Sequence, residues 1–309
     1  MTDYGLLFRE LAVPRLVGTP NHQRVREVLK RELAARGFAV EEHAFAGRPP
    51  RALLGTPRVV HGVNLIAQRS QAEAWARQSL SLRTVSGGPT LERGKVWLVA
   101  HYDSKGQPIS MAIRLVGFAA LLSGLITVFF ATLPALALLA LGLVIVSQNR
   151  VNDNSPGAVD NATALVAVFM TLDQLSPTTT VGVIFPDAEE FGLVGARALA
   201  VDRAALFADA AVINLDGLDD VGAPVALVHS PGSTSMAAAT ALKARRWRWL
   251  PVVVDGIALA QVARECVTIL KGNWRTMRVV HRPEDTASRV RLDGAAIVAA
   301  GLARVLRAQ

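Results

Sequence analysis

Five places in the chain carry residues able to do metal or acid–base chemistry. His101 and Asp103 stand two apart, directly after the apolar run Lys95 to Ala100. An imidazole at a strand end offers a metal a neutral nitrogen, and Asp103, pointing to the same side, can orient it. Asp160 follows the loop Ser155, Pro156, Gly157 and precedes a helical stretch that starts near Ala162. Glu189 and Glu190 come just after Val181 to Phe185, and two adjacent carboxylates are costly unless they are exposed or bind cations. Asp216 closes the run Ala210 to Leu215, and His281 follows Val279 and Val280. Taken singly, each has a plain structural explanation: a solvated histidine, an aspartate capping a helix, a helix start that favours negative charge. Taken together, two histidines and three or four carboxylates, with no cysteine among them, are the ligand inventory of a two-metal hydrolytic centre. Such a set suits hard or borderline ions, with zinc the default.

These groups need a scaffold that brings them to one place. Val25, Val28, Leu29 and Leu33 fall at helical spacing between Thr19 and Gly37, which predicts an amphipathic helix stopped by the glycine. Phe38 to Phe45 alternates as a half-buried strand, and Val63 to Ala67 is a second. The short continuous runs at 95–100, 181–185 and 210–215 are buried strands, separated by helical stretches. The expectation is an α/β fold: a mixed, mostly parallel central sheet flanked by helices, with all reactive groups at strand ends.

The order of the motifs resembles the co-catalytic zinc aminopeptidases of the bacterial leucyl aminopeptidase type, a family that includes glutamate carboxypeptidase and the glutaminyl cyclases. His101-Tyr102-Asp103 is similar to its His-x-Asp motif, Gly157 to Asn161 to its bridging-aspartate loop, and Phe185 to Leu193 to its double-glutamate strand end. Asn214 to Asp216 is similar to its second aspartate motif, His281 to Thr286 to its final histidine, and Pro14 to Pro20 to its opening segment. The resemblance implies two Zn2+ ions, or other divalent metals: one held by His101, Asp160 and Glu190, the other by Asp160, Asp216 and His281. It implies Glu189 as the general base, and Asp103 as the residue that completes the catalytic set by orienting His101. Asp285 would support the His281 loop. The expected activity is hydrolysis of N-terminal peptide bonds. Carboxypeptidase, deacylase or cyclase-like acyl transfer chemistry are the enzymatic alternatives, and a membrane scaffold built on a peptidase fold is the non-enzymatic one. Two departures stand out. Asn161 is followed by Ala162, Thr163 and Ala164 instead of the usual Ser-Gly, and Asp255 to Gln261 lacks the Ser-Asp-His run that lines the pocket in relatives. Substrate preference therefore does not carry over.

Composition adds a second theme. The 309 residues are 51% hydrophobic with a net charge of +8 and a mean hydropathy of +0.33, too apolar for a disordered chain and high for a soluble domain. A single cysteine, Cys266, excludes an internal disulfide framework. Leu115 to Asn149 runs 35 residues without Asp, Glu, Lys, Arg or His. We expect residues 109–149 to form a transmembrane or membrane-embedded helical hairpin turning at Thr132 to Pro134, inserted into one zinc-peptidase domain made of 1–108 and 150–309. Because His101 and Asp160 must serve one site, the number of passes has to be even. Lys105, Arg114 and Arg150 flank the run, and no signal segment precedes it, which favours a membrane protein with its catalytic domain on the cytoplasmic side. The expected partners are a peptide substrate and a lipid bilayer. Nucleic acid is not expected, since the arginines are scattered. The Arg245 to Trp249 cluster is expected at lipid headgroups or at a surface helix end. Composition leaves the oligomeric state open.

Overall fold

The computed structural model describes residues 2–50, 56–69 and 95–308. Helices α1 (Tyr4–Leu11) and α2 (Pro20–Ala35) come first. Thr19 accepts from the backbone N–H of His22, and Pro20 opens α2 where no N–H donor is needed. Gly37, at φ +76°, then turns the chain into β1. The strands β1 (Phe38–Gly47), β2 (Val60–Arg69), β3 (Val96–Val99), β4 (Val181–Phe185), β5 (Ala211–Leu218), β6 (Ala223–Ser230), β7 (Arg245–Trp247) and β8 (Glu265–Gly272) form one eight-stranded sheet in the order β1-β2-β4-β3-β5-β8-β6-β7. The four central strands, β4, β3, β5 and β8, are mutually parallel, while β2 and β6 join them antiparallel. This is the expected mixed α/β sheet.

The central strands are apolar throughout because both faces are covered. Leu98, Val183 and Ile213 face α1, α2, α5 (Thr163–Asp173), α7 (Ser233–Ala241) and α10 (Asp293–Arg307). Trp97, Val99, Ile184 and Val212 point the other way, onto α6 (Val194–Asp202) and α8 (Asp255–Leu259). Parallel central strands put their carboxyl ends along one edge, where a crevice forms.

Some expectations need correction. Asp216 lies inside β5, Asp160 lies in a kinked turn (Ala158–Ala162), and His281 follows helix α9 (Trp274–Val279), so the ligand set is not drawn from strand ends alone. Arg245–Trp247 is an edge strand, not a helix end. The apolar run folds into α3 (Met111–Thr127) and α4 (Thr132–Ser147). Thr132 to Pro134 is the first turn of α4, where proline costs no hydrogen bond, and the reversal is at Val128 to Ala131. Glycines line the seam between the two helices. A Cβ at Gly117 would come within 2.6 Å of Ile145, at Gly124 within 2.8 Å of Leu139, and at Gly142 within 2.6 Å of Leu121. No helix among the described residues is long and apolar enough to cross a membrane. The charge-free run overstated the helix length because it also counts the reversal and the polar exit, Gln148 and Asn149. At their neck the chain closes on itself: Gly106 and Asn152 exchange backbone hydrogen bonds of 2.8 and 2.9 Å.

Candidate metal centre

The strand register brings the first two groups together. Val99 of β3 pairs with Asn214 of β5, so two residues further on His101 stands beside Asp216. The kinked turn supplies Asp160. Its Oδ1 is 3.1 Å from Nε2 of His101 and its Oδ2 is 3.0 Å from Nε2 of His281. His281 Nε2 is also 3.1 Å from Oε2 of Glu190. Two clusters of potential ligand atoms result, each with its atoms within 4.8 Å of one another: His101, Asp160 and Asp216, and Asp160, Glu190 and His281. Asp160 is common to both, as a bridging ligand must be. The structure exchanges two members of the partition implied by the resemblance: Asp216 goes with His101, and Glu190 with His281.

Several of these candidate ligands are held from behind. Asp103 accepts from the backbone N–H groups of Glu189 and Glu190, both at 3.1 Å, and its Oδ1 lies 3.4 Å from Nδ1 of His101. It fixes the double-glutamate turn as well as facing the histidine. Asp285 accepts from the N–H groups of Val159 and Asp160 at 2.9 and 3.2 Å, so it supports the Asp160 loop, not the His281 loop. Asn161 ties that loop to β5, donating to the carbonyl of Leu215 and accepting from the N–H of Gly217. Ala188 at φ +56° and His281 at φ +64° adopt the left-handed region, strain of the kind that collects at functional sites.

The centre carries a dense set of buried titratable groups. Burial pushes the Glu189 carboxyl well up; His101 opposes this, and the neighbouring Glu190, Asp216 and Asp255 reinforce it. Burial raises Asp216 to about 7. Burial also acts against charged Glu190, but His281 and Lys105 outweigh it and hold the carboxyl down at about 2. Several polar atoms lack partners: both ring nitrogens of His101 make no aligned hydrogen bond, nor does Oε1 of Glu190. Buried, unpartnered nitrogen and carboxylate ligands of this kind are what divalent cations satisfy. The donor set therefore fits a zinc pair.

Sequence reasoning passed over four residues here. Arg15 is fully buried and donates to the carbonyls of Tyr102, Pro156 and Gly157 at 2.7, 2.5 and 3.0 Å. It thereby joins the loop after His101 to the loop before Asp160. Replacing it with methionine removes the donor from the carbonyls of Tyr102 and Pro156, while Gly157 keeps its bond from the Ala162 N–H, and is expected to cost about 2 kcal/mol or more. Denaturant unfolding measures this, and a loss below about 1 kcal/mol contradicts the clamp role. Asp255 is fully buried at the start of α8, with both carboxylate oxygens unpartnered and its acidity suppressed by burial. Its signal was present in the segment set aside for lacking a Ser-Asp-His run, since the aspartate remains. Lys105 and Arg114 also reach the ligands, and nothing in their spacing announced it.

A model of Peptidase family M28 matches residues 83–305. No match is found among curated proteins. Among solved structures, the fold is similar to Porphyromonas gingivalis glutaminyl cyclase, at 16% identity over 99% of this chain and 96% of that one, with a TM-score of 0.64. It is similar to a leucine aminopeptidase precursor from Bacteroides thetaiotaomicron, at 14% identity over 99% and 96%, with a TM-score of 0.62. Fimbriiglobus ruber glutaminyl cyclase aligns at 17% identity over 99% and 94%, with a TM-score of 0.60. At these identities the neighbours show the fold, while the sequence model spans most of the chain, including all five candidate ligand positions: the chain belongs to peptidase family M28.

Proposed function

We propose that the protein is a membrane-attached zinc aminopeptidase using two ions. The observation that carries the reading is the pair of ligand clusters sharing Asp160, with the buried acid Glu189 beside them. When bound, a zinc pair supplies Lewis acidity that acidifies a water and polarises a carbonyl oxygen. The chain's own part is positional and protonic. Asp103 holds the backbone of Glu189 in place, burial keeps its carboxyl basic enough to take a proton, and Glu189 then returns that proton to the leaving amine. The experiment is product analysis on a peptide with a free or an acetylated amino terminus. Release of the first residue from the free peptide alone supports the aminopeptidase. Cleavage of both, or ring closure of an N-terminal glutaminyl peptide, selects the alternative amide hydrolase or the cyclase, the latter favoured by the glutaminyl cyclases among the structural neighbours.

For the membrane part, the support is the exposed apolar surface of α3 and α4. Leu122, Leu125, Leu143 and Val144 face solvent, and at the tip Phe129 and Phe130 are 82% and 84% exposed. Exposure around both helices and the tip suits immersion in lipid better than a one-sided protein partner. Phe129→Glu with Phe130→Glu is expected to release the protein from phosphatidylcholine vesicles in a flotation assay, and continued flotation of the double variant contradicts lipid immersion. Lys105 and Arg114 are buried, so of the three flanking cations only Arg150 is exposed. We place the catalytic domain on the cytoplasmic side on Arg150 alone.

A further inference from the structure

We propose that the two metal subsites are unequal by construction: the His101, Asp160, Asp216 subsite takes its ion tightly, while Lys105 and Arg114 weaken the Asp160, Glu190, His281 subsite. The inference rests on the zinc reading above. Lys105 is buried, and its Nζ is 2.9 Å from Oε2 of Glu190 and 3.0 Å from that residue's carbonyl. The same Oε2 is the atom that faces His281. An ion entering on the His281 side meets an ammonium already seated on Oε2, and even one that takes the unpartnered Oε1 stands against that positive charge.

Arg114 acts on the other ligand. Its Nη2 is 2.8 Å from Nδ1 of His281, and a guanidinium only donates, so Nδ1 accepts. In the neutral ring the proton then sits on Nε2, the nitrogen that would have to give its lone pair to a metal. Oε1 of Gln107, 3.1 Å from the same Nδ1, asks for the opposite tautomer, with Nδ1–H donating and Nε2 free. His281 therefore stands between two partners with incompatible demands, and metal ligation requires Arg114 to withdraw in favour of Gln107. The first subsite has no such conflict. Among the described residues no lysine or arginine pairs with His101, Asp160 or Asp216, and the group nearest Nδ1 of His101 is the Asp103 carboxylate, 3.4 Å away, an acceptor and not a competing donor.

Stepwise zinc affinities of the full-length protein, measured by competition with a chromophoric chelator and checked by elemental analysis, test this. The wild type is expected to bind one ion about 10- to 100-fold more tightly than the second, and Lys105→Met and Arg114→Met each to strengthen the second step by a similar factor while leaving the first in place. Two equally tight ions in the wild type, or an unchanged second step in both folded variants, overturns the inequality and leaves the zinc reading standing. Failure to bind any ion overturns both. If the variants do not fold, nitrogen NMR of wild type carrying one zinc decides: a proton on Nε2 of His281 supports the proposal, and one on Nδ1 overturns it.

Discussion

Asp160→Asn is expected to remove both ions at once and to lower peptide hydrolysis by about 10³- to 10⁴-fold, the rate equivalent of the several kcal/mol that metal polarisation contributes. No other ligand has this reach, because Asp160 alone belongs to both clusters, its two oxygens aimed at different histidines. The fold is expected to survive. The loop is held through backbone N–H groups by Asp285 and through the Asn161 side chain, neither of which the substitution touches. Elemental analysis beside circular dichroism checks the claim, and retention of two ions by the folded variant contradicts the bridging role. Asp216→Asn, by contrast, should spare the Glu190 and His281 side.

Glu189→Gln is expected to lower kcat by about 10²- to 10⁴-fold with the metal content unchanged, the usual range for losing a general acid–base group. The amide keeps the size of the carboxyl and loses only its ability to carry a proton. Glu189 also stands outside both ligand clusters. The pH profile sharpens the test. Burial holds this carboxyl well above the ordinary range, so the wild-type rate should fall as pH drops through the raised value, and the residual rate of the variant should lose that limb. Undiminished turnover, or loss of zinc from the variant, contradicts the assignment.

The scaffold and the candidate ligand residues were legible because local pattern marks them. Continuous apolar runs marked β3 and β4, and the residues just beyond them had to surface at the sheet edge. Which ligand meets which was not legible, because the partition depends on strand order. β5 lies directly against β3 with Val99 opposite Asn214, and that register, invisible in either segment alone, carries Asp216 to His101. Asp285 looked like a support for its own loop because sequence proximity is the only clue a linear reading has; its carboxylate instead reaches across to residues 125 and 126 positions away. Lys105 and Arg114 read as cations flanking a membrane segment. Only the tertiary arrangement shows that they turn inward to Glu190 and His281.

The closed neck at Gly106 and Asn152 makes the hairpin a cassette. Its two ends are hydrogen-bonded to each other, so the path from His101 to Asp160 does not depend on what lies between them, and a short turn could replace residues 109–149 with little entropic cost. Such an excision would take Arg114 away with the apolar helices, and with it the guanidinium on His281. The apolar hairpin and the guanidinium on His281 are thus one inheritable unit: a lineage that lost the cassette would lose both together, while Lys105 would stay on Glu190.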